Sequence, residues 1–167
     1  MTLTPQQRSE FIARIAPAAQ RSQKKNGVPA SIILAQAILE SAWGQSSLTA
    51  RHNNYFGIKD SRRFDEGYCE FRTEEVLAGE RVNLIARFEA FKDVASCFDA
   101  HGRLLAENKR YAPAMADADD PFVFAARLYE CGYATDPDYA KKLAQLITTY
   151  KLTRFDAPRA QRKGQQA

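Results

Sequence analysis

The chain has 167 residues, of which 45% are hydrophobic and 11% aromatic, and its 24 basic and 20 acidic side chains give a net charge of +4. This length suits one domain, and the hydrophobic fraction excludes a wholly disordered chain. No apolar run approaches the roughly 18 residues that a membrane-spanning helix needs. Residues 1–10 are polar, so the sequence predicts no secretory signal peptide there.

The positive charge is confined to the end of the chain. Residues 1–150 are neutral in sum. The excess comes from Lys151, Arg154, Arg159, Arg162 and Lys163, set against Asp156. A neutral body excludes a broad basic surface for nucleic acid. We therefore predict a folded domain over residues 1–152 and a basic C-terminal tail over residues 153–167.

The cysteine and histidine residues give no sign of a metal site. Cys69, Cys97 and Cys131 are widely spaced, and His52 and His101 are far apart in the chain. Zinc sites usually show closely spaced cysteine and histidine pairs. We therefore predict reduced, buried thiols, no bound metal and no cofactor.

The first part of the chain predicts two helices. Apolar residues recur at helical spacing through residues 6–25, with a kink predicted at Pro17 and a stop at Asn26-Gly27. A second helix is predicted from Ser31 to Trp43, closed by Gly44. This second segment is apolar nearly all round, which is typical of a helix buried at the centre of a domain.

The pattern then changes to strict alternation over residues 81–90, which predicts a half-exposed strand. A weaker strand is predicted over Tyr68–Thr73, and Ala78-Gly79 lies in the turn between the two strands. Further helices are predicted over Val94–Glu107, 121–131 and 137–150. The fold class is therefore α+β, mostly α, with one β-hairpin inserted between helices.

One carboxylate falls where both burial and the helix dipole act against its charge. Glu40 lies near the C-terminal end of the apolar second helix, on the same face as Gln36. Both influences raise a carboxyl pKa. A carboxylic acid that is protonated near neutral pH is what the general acid of glycoside hydrolysis requires. From position alone, a solvent-facing or capping role for Glu40 is the more common alternative.

Glycosidases generally need a second carboxylate that faces the first. The region of the predicted hairpin contains Glu66, Glu70, Glu74, Glu75 and Glu80. A solvated, charged face explains such a cluster equally well, and the charge pattern does not choose between the five. The residues by themselves therefore lead only to a carboxylate-dependent hydrolase.

Several blocks of the sequence, in order, resemble the glucosaminidase family of peptidoglycan hydrolases. They are Ile-Leu-Ala-Gln-Ala-Ile-Leu-Glu-Ser-Ala-Trp-Gly-Gln-Ser (33–46), Asn-Asn-Tyr-Phe-Gly-Ile-Lys (53–59), Thr-Glu-Glu-Val-Leu-Ala-Gly (73–79), Ala-Arg-Phe (86–88) and Gly-Tyr-Ala-Thr-Asp-Pro-Asp-Tyr-Ala-Lys-Lys-Leu (132–143). The resemblance covers roughly residues 10–150. It implies a lysozyme-like helical domain with an inserted β-hairpin lobe that borders the substrate cleft.

The resemblance implies roles for individual residues. Glu40 matches the catalytic general acid, and Tyr133 matches a tyrosine that faces the acetamido group of the substrate. Glu75 matches the second carboxylate, with Glu74 as a rival because the hairpin departs from the family pattern at Val76 and Ala78. Alternate residues of a strand face opposite ways, so only one of the two glutamates points into the cleft. The residues expected to border the cleft and bind substrate are Gln36, Asn54, Tyr55 and Phe56.

The implied activity is hydrolysis of peptidoglycan glycan strands. As an endo-β-N-acetylglucosaminidase, the protein would cleave the β-1,4 bond between N-acetylglucosamine and N-acetylmuramic acid, as a monomer. The alternatives are a muramidase or lytic transglycosylase of lysozyme-like fold, and a non-catalytic glycan-binding relative, against which the presence of Glu40 argues. Two mechanisms stay open: Glu75 activates water, or the acetamido group of the substrate attacks the anomeric carbon.

The predicted place of action is the bacterial cell wall or periplasm. Without a signal peptide, the enzyme would arrive by cell lysis, as a phage endolysin does, by a secretion system, or by another route outside the general secretory pathway. The basic tail is predicted to be solvated, with weak contact to an anionic membrane or wall polymer as the functional alternative.

Overall fold

The structure, a computed structural model, describes residues 2–60 and 67–158. Within these ranges the helices are α1 (Pro5–Asn26), α2 (Ala30–Glu40), α3 (Ser47–His52), α4 (Val94–Glu107), α5 (Ala112–Ala116), α6 (Pro121–Glu130) and α7 (Tyr139–Thr149). The strands are β1 (Tyr68–Leu77) and β2 (Glu80–Glu89), and short 3-10 helices cover Lys109–Tyr111 and Leu152–Phe155. The predicted α+β class, mostly helical with one inserted hairpin, is confirmed.

The five longer helices coincide with the predicted ones to within a few residues. The sequence patterns do not predict α3, α5 or the 3-10 helices, because these segments are too short to show a helical period. In α1, Thr4 and Gln7 form a capping box, and Gly27 ends the helix in the left-handed conformation. The helix continues through Pro17 without interruption.

Helix α2 is the centre of the domain. Every residue from Ala30 to Ile38 is at most 2% exposed, and the helix packs against α1, α6, α7 and the C-terminal 3-10 helix. Each buried isoleucine or leucine of this helix contributes about 1.5–3 kcal/mol of hydrophobic stabilisation. The prediction of a buried central helix is therefore confirmed.

Helix α2 ends at Glu40, three residues before the predicted end at Trp43. The backbone of residues 42–44 turns away with φ of 50°, 60° and 76°, which is the left-handed region. The Ser41 hydroxyl accepts a hydrogen bond from the Gly44 N–H at 2.7 Å. The early stop leaves Glu40 as the last helical residue, beside the negative end of the helix dipole.

Strands β1 and β2 pair as an antiparallel hairpin around Ala78 and Gly79. Both turn residues have positive φ, 51° and 84°, as a type I′ turn requires. Strand β1 runs to Leu77, beyond the predicted end at Thr73, because β2 supplies it with hydrogen-bonding partners along its whole length. The two rival glutamates, Glu74 and Glu75, therefore lie inside a strand and face opposite sides of the hairpin.

Asn54 attaches the base of the hairpin to the helical body. Its side-chain amide donates to the carbonyl oxygens of Ile58 and Glu89, each at 2.9 Å, and accepts from the Ile58 N–H at 3.0 Å. Glu89, one of the polar residues of the predicted half-exposed strand, is fully buried instead. The reason is that the loop preceding the hairpin covers the base of β2, where Lys59 pairs with Phe88.

Other structural properties hold for the described ranges only. Among residues 2–60 and 67–158, no helix has the length and apolar character that crossing a membrane requires. In the same ranges, no three His, Cys, Asp or Glu side chains are grouped so that they could hold a metal ion. Cys69, Cys97 and Cys131 are free thiols.

The packed chain extends beyond the predicted boundary at residue 152. The Asp156 carboxylate accepts hydrogen bonds from the backbone N–H and the hydroxyl of Ser31, each at 2.8 Å, and the Ala157 N–H donates to Gln23 Oε1 at 3.0 Å. Ser31 lies in the first turn of α2, where amides lack acceptors within the helix and the dipole favours a negative charge. Of the predicted tail, residues 159–167 lie outside the described residues.

Replacing Asp156 by alanine should lower the free energy of unfolding by about 1–2 kcal/mol, because the first turn of α2 loses its acceptor. Urea denaturation measures this loss, and Thr153→Ala on the exposed side of the same segment is the matched control. Truncation after residue 158 should leave stability unchanged, whereas truncation after residue 152 should cost at least as much as Asp156→Ala. Equal stability of the two truncated chains would contradict this boundary.

Candidate active site

Glu40 lies where α2 meets the segment between α6 and α7. The Tyr139 hydroxyl donates to Glu40 Oε1 at 2.8 Å. The Tyr133 hydroxyl lies 3.1 Å from Oε1 and 3.3 Å from Oε2 and donates to the same carboxyl group. Burial raises the pKa of Glu40 from 4.5 to about 7, although the two tyrosine hydrogen bonds lower it. Glu40 therefore exists in both protonation states near neutral pH, as a proton donor in catalysis must.

Tyr133 is held in place by the way α6 ends. The Gly132 N–H bonds to the Tyr129 carbonyl at 2.9 Å, and the Tyr133 N–H bonds to the Leu128 carbonyl at 3.0 Å, which is a Schellman motif. Gly132 has φ of 79°, and a Cβ there would lie 2.5 Å from Nη2 of Arg110. Arg110 in turn donates to the Gly132 carbonyl at 3.0 Å. Glycine is therefore favoured at this turn, because a side chain here would be strained at this φ and would displace the Arg110 guanidinium.

Tyr139 is the first residue of α7 and is 5% exposed. Its ring stacks on Tyr133 with centroids 5.5 Å apart. Burial and the neighbouring Glu40 raise the pKa of both phenols, so both hydroxyls keep their hydrogens and can donate. The sequence patterns did not predict the contact of Tyr139 with Glu40. Its place in the same matched block as Tyr133 is the one signal that pointed to it.

A cavity of about 1010 Å³ opens beside Glu40. Tyr133, Tyr139 and Phe56 line it together with Glu40. Phe56 stacks face to face on His101, with centroids 3.8 Å apart and an interplanar angle of 8°. Of the four residues predicted to bind substrate, Phe56 is the one that borders this cavity.

Gln36, Asn54 and Tyr55 are buried, with exposures of 0%, 1% and 5%. Gln36 donates from Nε2 to the Tyr139 hydroxyl at 3.0 Å, and its Oε1 lies 2.7 Å from His101 Nε2. Asn54 is occupied in attaching the hairpin. None of these three side chains is among the residues that line the cavity, so the cavity geometry does not support their predicted direct contact with substrate.

Glu75 and Glu74 lie on opposite faces of the hairpin. Glu75 Oε1 is 3.8 Å from the Nζ of Lys59, a residue that lines the cavity. Glu74 pairs with Arg81 on the other face at 3.4 Å and is the more exposed of the two. Glu75 thus lies on the side of the hairpin next to Lys59, and its own side chain is not among the residues that line the cavity. Of the remaining candidates, Glu66 lies outside the described residues.

The cavity lining is rich in cations away from Glu40. Lys59, Arg103 and Lys109 contribute positive charge, and Glu107 contributes a negative one. Arg103 forms a salt bridge with Asp99 at 3.1 Å. Lys59 likewise lies 3.8 Å from a carboxylate oxygen of Glu75, so these cations are partly compensated, and they remain able to contact anionic groups of a ligand.

Glu40 should make the folding stability depend on pH. Between 4.5 and about 7 the folded protein keeps the Glu40 proton that the unfolded chain has released. The stability contributed by neutral Glu40 is therefore complete below pH 4.5 and is lost as the pH rises through about 7. Glutamine stays neutral at every pH. The free energy of unfolding of Glu40→Gln minus that of the wild type, as measured by urea denaturation, should therefore increase between pH 4 and pH 8. A constant difference over this range would contradict the raised pKa.

The chain is similar to known enzymes. A family model described as mannosyl-glycoprotein endo-beta-N-acetylglucosaminidase matches residues 16–152. The peptidoglycan hydrolase FlgJ of Pseudomonas aeruginosa is 38% identical over 141 residues, which are 82% of this chain and 35% of that protein. The exo-glucosaminidase LytG of Bacillus subtilis is 36% identical over 151 residues, which are 87% of this chain and 52% of that protein.

A solved structure has the same fold. The catalytic domain of the autolysin Auto from Listeria monocytogenes matches with a TM-score of 0.82 at 30% identity, over 93% of this chain and 91% of that one. The lysozyme-like domain implied by the sequence resemblance is thus confirmed. The chain spans about half or less of the curated relatives it matches. By sequence and by fold, the chain belongs to the glucosaminidase family, glycoside hydrolase family 73.

Proposed function

We propose that the protein is a peptidoglycan hydrolase that cleaves the β-1,4 bond between N-acetylglucosamine and N-acetylmuramic acid. The observation that carries this proposal is Glu40, a carboxyl group with a pKa raised to about 7 at the edge of a large cavity. Two relatives support it by name, one as a peptidoglycan hydrolase and one as an exo-glucosaminidase.

Glu40 acts as the general acid in the proposed mechanism. In its protonated form it donates a proton to the glycosidic oxygen as the bond to the anomeric carbon breaks. The donation leaves a carboxylate, which the hydroxyls of Tyr133 and Tyr139 then stabilise by hydrogen bonds. Burial thus favours the acid before the transfer, and the two phenols favour the carboxylate after it.

Glu75 is the proposed second carboxylate. Its position on the side of the hairpin next to Lys59, a residue of the cavity lining, supports this role over Glu74. From there it activates water or stabilises the positive charge of the oxocarbenium-like transition state. In the substrate-assisted alternative, the acetamido oxygen attacks instead, and Tyr133 orients the acetamido group.

The cationic side chains of the cavity lining support an anionic glycan as the substrate. N-acetylmuramic acid carries a lactyl group whose carboxylate is free or bears the stem peptide, and the stem peptide has carboxylates of its own. Lys59, Arg103 and Lys109 offer positive charge to such groups. A neutral polymer of N-acetylglucosamine could accept hydrogen bonds from these side chains but would gain no charge–charge attraction from them.

The proposal includes further features that the sequence predicted. We propose cleavage within glycan strands, by a monomer that acts at the cell wall. An exo-acting enzyme would release short products from the first moments of digestion, whereas an endo-acting one shortens long strands first. A weak contact between the basic tail and anionic polymers belongs to the same proposal.

Digestion of purified peptidoglycan followed by borohydride reduction should yield reduced glucosamine at the new ends. Reduced muramic acid would indicate a muramidase, and anhydromuramic ends would indicate a lytic transglycosylase. The Glu40→Gln variant should form these ends about 10²–10⁴-fold more slowly while keeping its circular dichroism spectrum and its binding to insoluble wall. Undiminished hydrolysis by this variant would refute the mechanism.

The matched substitutions Glu75→Gln and Glu74→Gln should separate the two hairpin carboxylates. Glu75→Gln should lower kcat by about 10²-fold or more if the carboxylate activates water, whereas Glu74→Gln, on the opposite face, should stay within about twofold of the wild type. A small effect of both substitutions would favour the substrate-assisted route, which needs no second carboxylate. A large effect of Glu74→Gln alone would indicate that Glu74, and not Glu75, is the second carboxylate.

A further inference from the structure

A chain of buried polar groups leads away from Glu40 into the core. The Tyr139 hydroxyl donates to Glu40 Oε1 and accepts from Gln36 Nε2 at 3.0 Å. On the far side of Gln36, its Oε1 lies 2.7 Å from the Nε2 of His101. Gln36 and His101 are at most 1% exposed, and the His101 ring also forms part of the cavity wall. Nothing in the proposed chemistry requires these two side chains to touch the substrate.

We propose that His101 and Gln36 are positioning residues that act through Tyr139, holding its hydroxyl as a donor to Oε1 of Glu40. This inference rests on the proposed role of Glu40 as the general acid. The Tyr139 hydroxyl donates to Oε1, and the Tyr133 hydroxyl also lies nearer to Oε1 (3.1 Å) than to Oε2 (3.3 Å), so the proposed arrangement gives the carbonyl role to Oε1 and the acidic proton of protonated Glu40 to Oε2. This series of hydrogen bonds thereby determines which carboxyl oxygen of Glu40 delivers the proton.

The donor-to-acceptor direction of these hydrogen bonds follows from the number of hydrogens that each group carries. A tyrosine hydroxyl has one hydrogen and accepts through its oxygen. When the Gln36 N–H donates to that oxygen, the hydroxyl hydrogen is left for Glu40. If the Gln36 amide were reversed, its carbonyl would take the Tyr139 hydrogen, and Glu40 would lose a donor.

His101 determines which way the Gln36 amide faces. Burial lowers the pKa of His101 to about 3, so the ring is neutral and carries one hydrogen. In the proposed arrangement that hydrogen is on Nε2, where the ring donates to Gln36 Oε1 across 2.7 Å, so that Gln36 presents its carbonyl oxygen to His101 and its N–H to Tyr139. Stacking on Phe56 fixes the plane of the ring and so the line of the Nε2–H bond.

Other ionisable groups face the same cavity and must be considered beside this chain. They are Lys59 on the loop after α3, Arg103 and Glu107 on α4, Lys109 and Tyr111 on the 3-10 helix, and Tyr133 and Tyr139 on the α6–α7 side. The two tyrosines are the groups that hydrogen-bond to Glu40. Tyr139 is therefore the point at which the buried chain acts on the acid.

The matched variants His101→Gln and His101→Met test the inference. Both side chains have similar length, but glutamine keeps an N–H that can donate to Gln36 and methionine does not. His101→Met should lower kcat about fivefold to tenfold, as expected for one lost hydrogen bond, with KM unchanged. Glu40 then loses a hydrogen bond that lowers its pKa, so the alkaline limb of the kcat–pH profile should move to higher pH. His101→Gln should restore most of kcat and the wild-type limb.

A merely structural role for His101 would give a different result. Both variants would then lose thermal stability and activity together, and the alkaline limb would not move. Equal kcat values or unshifted limbs in the two variants would overturn the inference. If Glu40→Gln is inactive in the same assay, the proposed function stands even when the inference about His101 falls.

The imidazole nitrogens of the wild-type protein give a second, independent test. The chain has two histidines, so a ¹⁵N–¹H spectrum of the rings is assigned by comparison with His52→Gln. His101 should appear as the neutral tautomer with its hydrogen on Nε2 at every pH from 5 to 8. A hydrogen on Nδ1, or titration of His101 near pH 6.5, would overturn the inference without any measurement of activity.

Discussion

A carboxyl group at the end of a fully buried helix is the constraint on which the site depends. Helix α2 is surrounded by other elements, so its last residue, Glu40, is removed from most of the solvent that would stabilise its charge. Burial raises the carboxyl pKa, and the Tyr133 and Tyr139 hydroxyls limit that rise. A residue in this balance exchanges a proton near neutral pH at low energetic cost.

The elements around α2 hold this balance in place through backbone geometry. Gly132 allows the turn that orients the Tyr133 hydroxyl towards Glu40. Arg110 donates a hydrogen bond to the Gly132 carbonyl in the same turn. Asn54 attaches the hairpin, with its candidate carboxylate, to the loop beside the cavity. The polar groups nearest the acid are therefore supplied by turns and helix ends, which the packing of the helices makes rigid.

Much of the fold could be predicted because its signals are local. Short stretches of sequence are enough to predict the apolar character of α2 on all sides, the end of α1 at Gly27 and the Ala78-Gly79 turn. Predictions that depended on contacts between distant parts of the sequence were less accurate. Alternation in β2 indicated an exposed Glu89, but a distant loop covers it. The contact of Asp156 with α2 lies beyond the predicted domain limit at residue 152. No local sequence pattern indicates a helix cap whose donor and acceptor are 125 residues apart.

The sequence by itself determined the family, the α+β class and the choice of Glu40, since these rest on residue types in fixed order. Tertiary structure decided which side chains surround that carboxyl group. Gln36, on the same face of α2, was expected to bind substrate, yet it joins His101 to Tyr139 inside the core. Spacing along a helix reports which residues share a face. It does not report what packs against that face, because distant segments of the chain supply those partners and determine whether a polar group meets water, substrate or a buried hydrogen bond.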